Sequence, residues 1–145
     1  MKLLTTLLAL ILLSNNIEAQ TKADDIIGVW LTKGNDPAKI QIYKAGDKFY
    51  GKIIWLKTPL DNGKAKVDKN NPDKTKRTNP IIGLGLLSGF TFNNDDAWKG
   101  GNIYDPQNGK TYSCNISLKD KSTLKVRGYI GISLLGRTEV WTRSN

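Results

Sequence analysis

The sequence predicts an all-β fold, a single antiparallel up-and-down β-barrel of about eight strands. Three observations carry this. Apolar residues recur with a two-residue period along most of the chain beyond residue 20. Turn chemistry, Gly together with Asn, Asp or Pro, separates the alternating runs. No segment of that stretch sustains an amphipathic helical period. A two-sheet sandwich of the same strands is the alternative.

Residues 1–19 read as a secretory signal. Lys2 supplies the positive start, Leu3 to Leu13 the apolar run, and Ile17-Glu18-Ala19 a small residue after which cleavage is expected. The apolar run is too short to span a bilayer as a helix. Residues 20–145 then form one barrel domain, secreted or periplasmic. Cys114 is the only cysteine, so packing rather than disulfides must hold this domain. The net charge of +9 survives cleavage, because Lys2 and Glu18 leave together. Such a charge suits an anionic envelope component, whereas export argues against nucleic acid as the partner.

The first strand is "GVWL", with Gly28 and Trp30. In "KIQIY", Ile40 and Ile42 share a face; in "KFYGKIIWL", Phe49, Gly51, Ile53 and Trp55 share one and Tyr50, Lys52, Ile54 and Leu56 the other. Asn62-Gly63 and Asn108-Gly109 suit type I′ hairpins, in which both central residues need positive φ. Leu60 to Pro80 is a polar, lysine-rich connection that reads as an exposed loop with a weak strand around Ala65 to Val67. "IIGLGLLSGF" follows, and its Ile-Gly-x-x-Leu-Leu core returns from Ile130 onward, which places both stretches at one end of the barrel. "TYSCNISL" aligns Tyr112, Cys114, Ile116 and Leu118, and "STLKVRGYI" aligns Leu124, Val126, Gly128 and Ile130. The last run, "TEVWTR", puts Val140 and Trp141 on opposite faces.

The chemistry the chain can perform is narrow. It has no histidine, which removes Ser-His-Asp and Cys-His catalysis and most catalytic zinc sites. Cys114 sits in an apolar strand pattern and reads as a core residue. Asp68, Asn70 and Asp73 fail the calcium-loop pattern, because Pro72 replaces a ligand and Asp73 stands where glycine is required. No catalytic residue, metal or cofactor is assigned. A carboxylate-dependent hydrolase remains an alternative; it would pair Asp105 with Asp95, Asp96 or Asp68 across a cleft. Asp105 otherwise reads as a turn residue in "YDPQNGKTY". The aromatic residues are the better candidates for a binding site. Trp98, just before Gly100-Gly101, reads as the most exposed tryptophan.

The ordered set "GVWLT", "YGKIIWL", "DKNNPD", "IIGLGLLSGF", "WKGGNIYDPQNGKTY", "LKVRGYIG" and "GRTEVWTR" resembles the exported bacterial proteins grouped as domain of unknown function 2147. The resemblance covers nearly all of Ile27 to Arg143 and implies a small secreted or periplasmic β-protein, with no activity attached. The Gly-x-Trp of the first strand also resembles that of lipocalin-like (calycin) barrels. That resemblance implies that a basic side chain from the last strand lies across the indole, so Arg143 or Arg137 should meet Trp30 beside Gly28. The expected function is non-enzymatic binding of a small apolar or amphipathic ligand, such as a lipid with an anionic head. Tyr50, Trp55, Trp98, Tyr112 and Arg127 are the candidate contacts, with Gly51 and Gly128 leaving room inside. An envelope module that uses "IIGLGLLSGF" and the lysine-rich loop to bind a protein or an anionic polymer is the alternative; it requires a filled interior and an exposed apolar patch.

Overall fold

The alternating runs become strands, and all but two of them close on each other. In the computed structural model, which describes residues 19–131 and 136–145, the strands are β1 (Gly28–Leu31), β2 (Ala38–Ala45), β3 (Lys48–Leu56), β4 (Leu60–Asp61), β5 (Lys64–Ala65), β6 (Gly85–Phe92), β7 (Ala97–Asp105), β8 (Lys110–Asp120), β9 (Thr123–Tyr129) and β10 (Gly136–Ser144). Eight form a closed antiparallel barrel in the order β1-β2-β3-β6-β7-β8-β9-β10, with β10 returning to β1. Each strand therefore pairs with its chain neighbour, apart from the short β4–β5 hairpin, which sits outside the ring. Closure leaves the eight barrel strands no free sheet edge, which a sandwich would leave. The expected signal segment lies outside the described residues, apart from Ala19, as does most of the second Leu-Leu stretch.

The meander sorts its connections between two ends. The β1–β2, β3–β6, β7–β8 and β9–β10 connections lie at one end; the β2–β3, β6–β7 and β8–β9 turns, the start of β1 and the end of β10 lie at the other. At the second end a single 3-10 turn, Ala23–Ile26, precedes β1 and plugs the barrel. Inward residues there form a continuous core of Ile26, Trp30, Phe49, Phe90, Trp98, Cys114, Ile116 and Leu124. Burying aromatic side chains of this size contributes the largest share of the packing energy.

Two bulges change the sequence-derived faces. Ile53 pairs with Ile40 but Trp55 pairs with Lys39, so Ile54 is the extra residue of a β-bulge. Trp55 is thereby turned outward under the Lys39 ammonium, and Leu56 inward. In β7 the pairing jumps from Trp98 to Gly101, and Gly100 takes φ 74° between them. This turns Trp98 into the core. It is fully buried, packs against Phe92 at 4.9 Å, and donates its indole N–H to the Ala23 carbonyl (3.0 Å), contrary to its expected exposure.

The turns divide as well. Asn62 and Gly63 both have positive φ (49° and 76°), as type I′ requires. At Asn108-Gly109 only Gly109 does; its N–H reaches back to the Asp105 carbonyl at 2.8 Å, so this turn is longer than a two-residue hairpin. The Leu60 to Pro80 segment is more built than an exposed loop. It holds β4–β5, a bridge between Val67 and Pro80, and a 3-10 turn, Lys74–Lys76. Its anchor is Asp68, fully buried, which accepts from the Tyr104 hydroxyl (2.8 Å) and the Asn71 amide (2.7 Å). Asn70 donates to the carbonyls of Pro106 and Gln107 at the β7–β8 turn. Its own carbonyl presses on Gly109, where any Cβ would collide with it. The segment is thus clamped across one side of the barrel mouth.

Candidate functional site

The core fills only half of the barrel. Toward the connection-rich end the inward side chains shorten, and a cavity of about 1340 Å³ opens. Ile40 and Ile53 from β2 and β3, Ile103 from β7, Val126 from β9 and Trp141 from β10 form its apolar floor. Tyr112, Gly128, Leu56 and Leu86 carry the wall upward, and Lys33, Asp36, Lys64, Lys66 and Lys69 stand at the rim. Gly128 faces this space, whereas the room left by Gly51 is taken by Leu87 and Ile40, within 2.9 and 3.2 Å of where a Cβ would stand.

One polar station stands inside. Glu139 shares its inward parity with Trp141, accepts the Trp141 indole N–H (3.2 Å), and pairs with Arg137 (3.1 Å). An acid aligned with a core tryptophan on one strand face was the sequence signal for this station. Arg137 keeps most of its surface open to the mouth, with its remaining N–H groups available. At the rim, Lys66 pairs with Asp36 and Lys69 with Asp61, while Lys33 and Lys64 make no ion pair among the described residues. Asp36 is held below the usual carboxylate range, chiefly by its hydrogen bond to Thr58 and then by Lys66.

The closed end is built around one arginine. Arg143 lies 4.2 Å from the Trp30 ring centre. Its three nitrogens donate to the carbonyls of Lys121 (2.8 Å), Ile27 (3.0 Å) and Asp25 (2.7 Å). β1 pairs with β10 so that Trp30 is directly opposite Arg143. Gly28 is glycine because a Cβ there would stand 2.7 Å from the guanidinium, and its φ of 141° disfavours any side chain. The Trp30 indole donates to the Ile26 carbonyl (2.9 Å), which ties the plug to the first strand. Arg137 is not the partner of Trp30; it stands at the opposite end of the same strand.

Of the five candidate contacts, Tyr112 alone lines the cavity. Tyr50 stacks on Tyr43 on the outer face, 5.9 Å between ring centres. Trp55 is outside because of the bulge, and Trp98 belongs to the closed-end core. Arg127 alternates with the inward Val126 and Gly128, so it faces out and donates to Thr138 (2.9 Å). Asp105 accepts from the Gln107 backbone N–H (2.9 Å), capping its own turn, and Asp95 and Asp96 are at the far end of the barrel. Asp68, Asn70 and Asp73 each point to a different partner within the protein. Burial pushes the Cys114 thiol up to about 12, which makes it a core residue rather than a nucleophile at neutral pH.

An eight-stranded antiparallel barrel, sealed at one end by a Gly-x-Trp motif under an arginine and hollow at the other, defines a lipocalin-type calyx. The chain belongs to the family described as "Uncharacterized protein conserved in bacteria (DUF2147)", whose profile matches residues 28–143. Its fold is similar to that of protein HP1028 from the human pathogen Helicobacter pylori, described as belonging to the lipocalin family. The two are 25% identical, with a TM-score of 0.73 over 82% of each chain. Comparison with curated proteins gave no match.

Proposed function

We propose that this protein is an exported carrier or receptor for a small amphipathic ligand held in the open half of the barrel. The observation that carries this reading is the cavity of about 1340 Å³ with an apolar floor and a cationic, partly unpaired rim. Its volume exceeds the usual range for small-molecule sites, which leaves room for an acyl chain. The apolar part of the ligand would lie against Ile40, Ile53, Ile103 and Trp141. Its head would reach the Arg137 guanidinium and the Lys33 and Lys64 ammonium groups, which favours a carboxylate or phosphate. The short N-terminal apolar run supports export, with cleavage after Ala19.

Native mass spectrometry of the protein purified from an exporting host tests both parts. The expected result is an N-terminus at Gln20 and one lipid-sized adduct per barrel. Titration with dodecanoate should change Trp141 fluorescence saturably, and an Ile103→Trp change that fills the floor should remove this response without unfolding the barrel. Equal binding by the filled variant, or no binding of any acyl ligand, would refute the reading.

A further inference from the structure

The two ends of the barrel differ in more than openness. Among the described residues, the large apolar side chains left exposed at the open end are Ile54, Trp55, Leu60, Val67, Ile82 and Ile130. Leu60, Ile82 and Ile130 are 52%, 48% and 68% exposed. They ring the mouth. Trp55 is the penultimate residue of β3 and Ile130 follows β9, and those strands stand on opposite sides of the eight-stranded ring. Leu60 lies on the clamped segment and Ile82 just after it, both in the connection between β3 and β6.

Charge follows the same asymmetry. Residues 57–84 carry seven lysines and arginines against three aspartates. The connections and leading residues of the closed end, 19–27, 46–47, 93–96 and 121–122, carry two lysines against five aspartates. Lys64, Lys74 and Lys76 on the open-end segment make no ion pair among the described residues.

From this placement we infer that the open end docks on an anionic lipid bilayer, with the apolar tips entering the headgroup layer and the lysines on its phosphates. Separate tips spread around a mouth fit a fluid surface, which needs no shape match; a protein interface needs one continuous packed patch. Lysines at a charged membrane surface add attraction that falls off within a Debye length, so those at the open end act and those at the closed end do not. The barrel does not span the bilayer in this arrangement, since Lys39, Lys52 and Lys125 face outward from its wall. Docking mouth-down lets an amphipathic molecule pass between bilayer and cavity without crossing water. The inference goes beyond the proposed ligand binding and fails separately from it.

The test is flotation of the protein, purified after export, with phosphatidylcholine vesicles with and without phosphatidylglycerol. Binding should be at least about tenfold tighter with the anionic lipid and should fall at high salt. Changing Lys64, Lys74 and Lys76 to Gln should weaken it about a hundredfold, at about fivefold per lysine. Changing Leu60, Ile82 and Ile130 to Ser should weaken it about tenfold or more. Lys48→Gln, Lys119→Gln and Lys121→Gln together, at the closed end, should change nothing. All these sites are exposed, and an unchanged urea-unfolding midpoint shows that each variant keeps its barrel. Equal losses for both lysine sets, indifference to phosphatidylglycerol, or rim-dependent capture of a protein with no vesicle binding would overturn the inference. Dodecanoate binding without vesicle binding would remove the docking face alone.

Discussion

The closed and open ends of this barrel are made from the same strands, yet they solve opposite problems. At the closed end, Trp30, Trp98 and Arg143 all find partners for their polar groups in backbone carbonyls of residues 23–27 or of Lys121. Among the described residues, no buried polar side-chain atom there is left without a partner. At the open end, Arg137 and the lysines that make no ion pair among the described residues keep donors free, and the apolar floor faces the cavity. The difference teaches that stability and binding are separated along the barrel axis. Changes at one end should therefore cost folding energy, and changes at the other should cost occupancy.

The largest expected effect tests that separation at its strongest point. Trp30→Ala removes a fully buried indole and should destabilise the protein by about 3–5 kcal/mol, read by urea unfolding. Arg143→Met would keep much of the packing but leave three carbonyls without a donor, at about 2–3 kcal/mol. Comparable losses from cavity residues such as Tyr112→Ala would break the comparison.

Asp68 should come next, and its effect should be local. Asp68→Asn weakens the contacts to Tyr104 and Asn71 at a cost of about 1–3 kcal/mol. Hydrogen exchange should quicken over residues 66–80 and stay unchanged around Trp30. The Tyr104 phenol, pushed up to about 12 by burial first and then by its bond to Asp68, reports the same contact. The fold favours the neutral phenol. Its contribution is therefore complete below the ordinary value of 10 and is lost as pH rises through about 12. In the variant, the late phenolate absorbance should move part of the way back toward 10, since burial remains the larger cause.

How far the sequence made this legible depends on how local each cause is. Strand parity is local, and Ile40, Phe49, Ile53, Cys114, Val126 and Trp141 all occupy the inward faces their alternation implies. Parity also argued against Tyr50, opposite Phe49, and against Arg127, between Val126 and Gly128; both are outside the barrel. A one-residue bulge leaves no mark in an alternation pattern, so Trp55 lies on the face opposite to the one its alternation implies; Trp98 reads as exposed from the glycines beside it, and the bulge at those glycines seats it in the core instead. Arg137 and Arg143 have the same parity, and only the pairing of β10 with β1 decides between them. The Asp68–Tyr104 contact spans 36 residues and has no sequence period at all.

Cys114 offers a smaller but sharper probe, because it lies in the closed-half core. With its thiol pushed up to about 12 by burial, thiol reagents should react with it at neutral pH only when the barrel opens. The rate should rise by orders of magnitude in Trp30→Ala and stay close to native in Asp68→Asn. Equal acceleration in both would mean that the clamped segment and the closed end open as one unit.

The smallest effect on stability should come from Arg137, and there the comparison is cleanest. Arg137 and Arg143 lie on one face of one strand, six residues and roughly 20 Å apart at strand rise. Arg143 is enclosed by carbonyls and an indole, whereas Arg137 meets one carboxylate at an exposed site. Exposed pairs of that kind contribute little, so Arg137→Gln should change stability by less than about 1 kcal/mol. If the open half holds an anionic head, the same change should weaken dodecanoate binding about tenfold while leaving dodecanol binding unaltered, since a charge-assisted bond to the head is worth about that much. Equal loss for the acid and the alcohol would place the head elsewhere on the rim, and a large loss of stability would make Arg137 a second structural arginine.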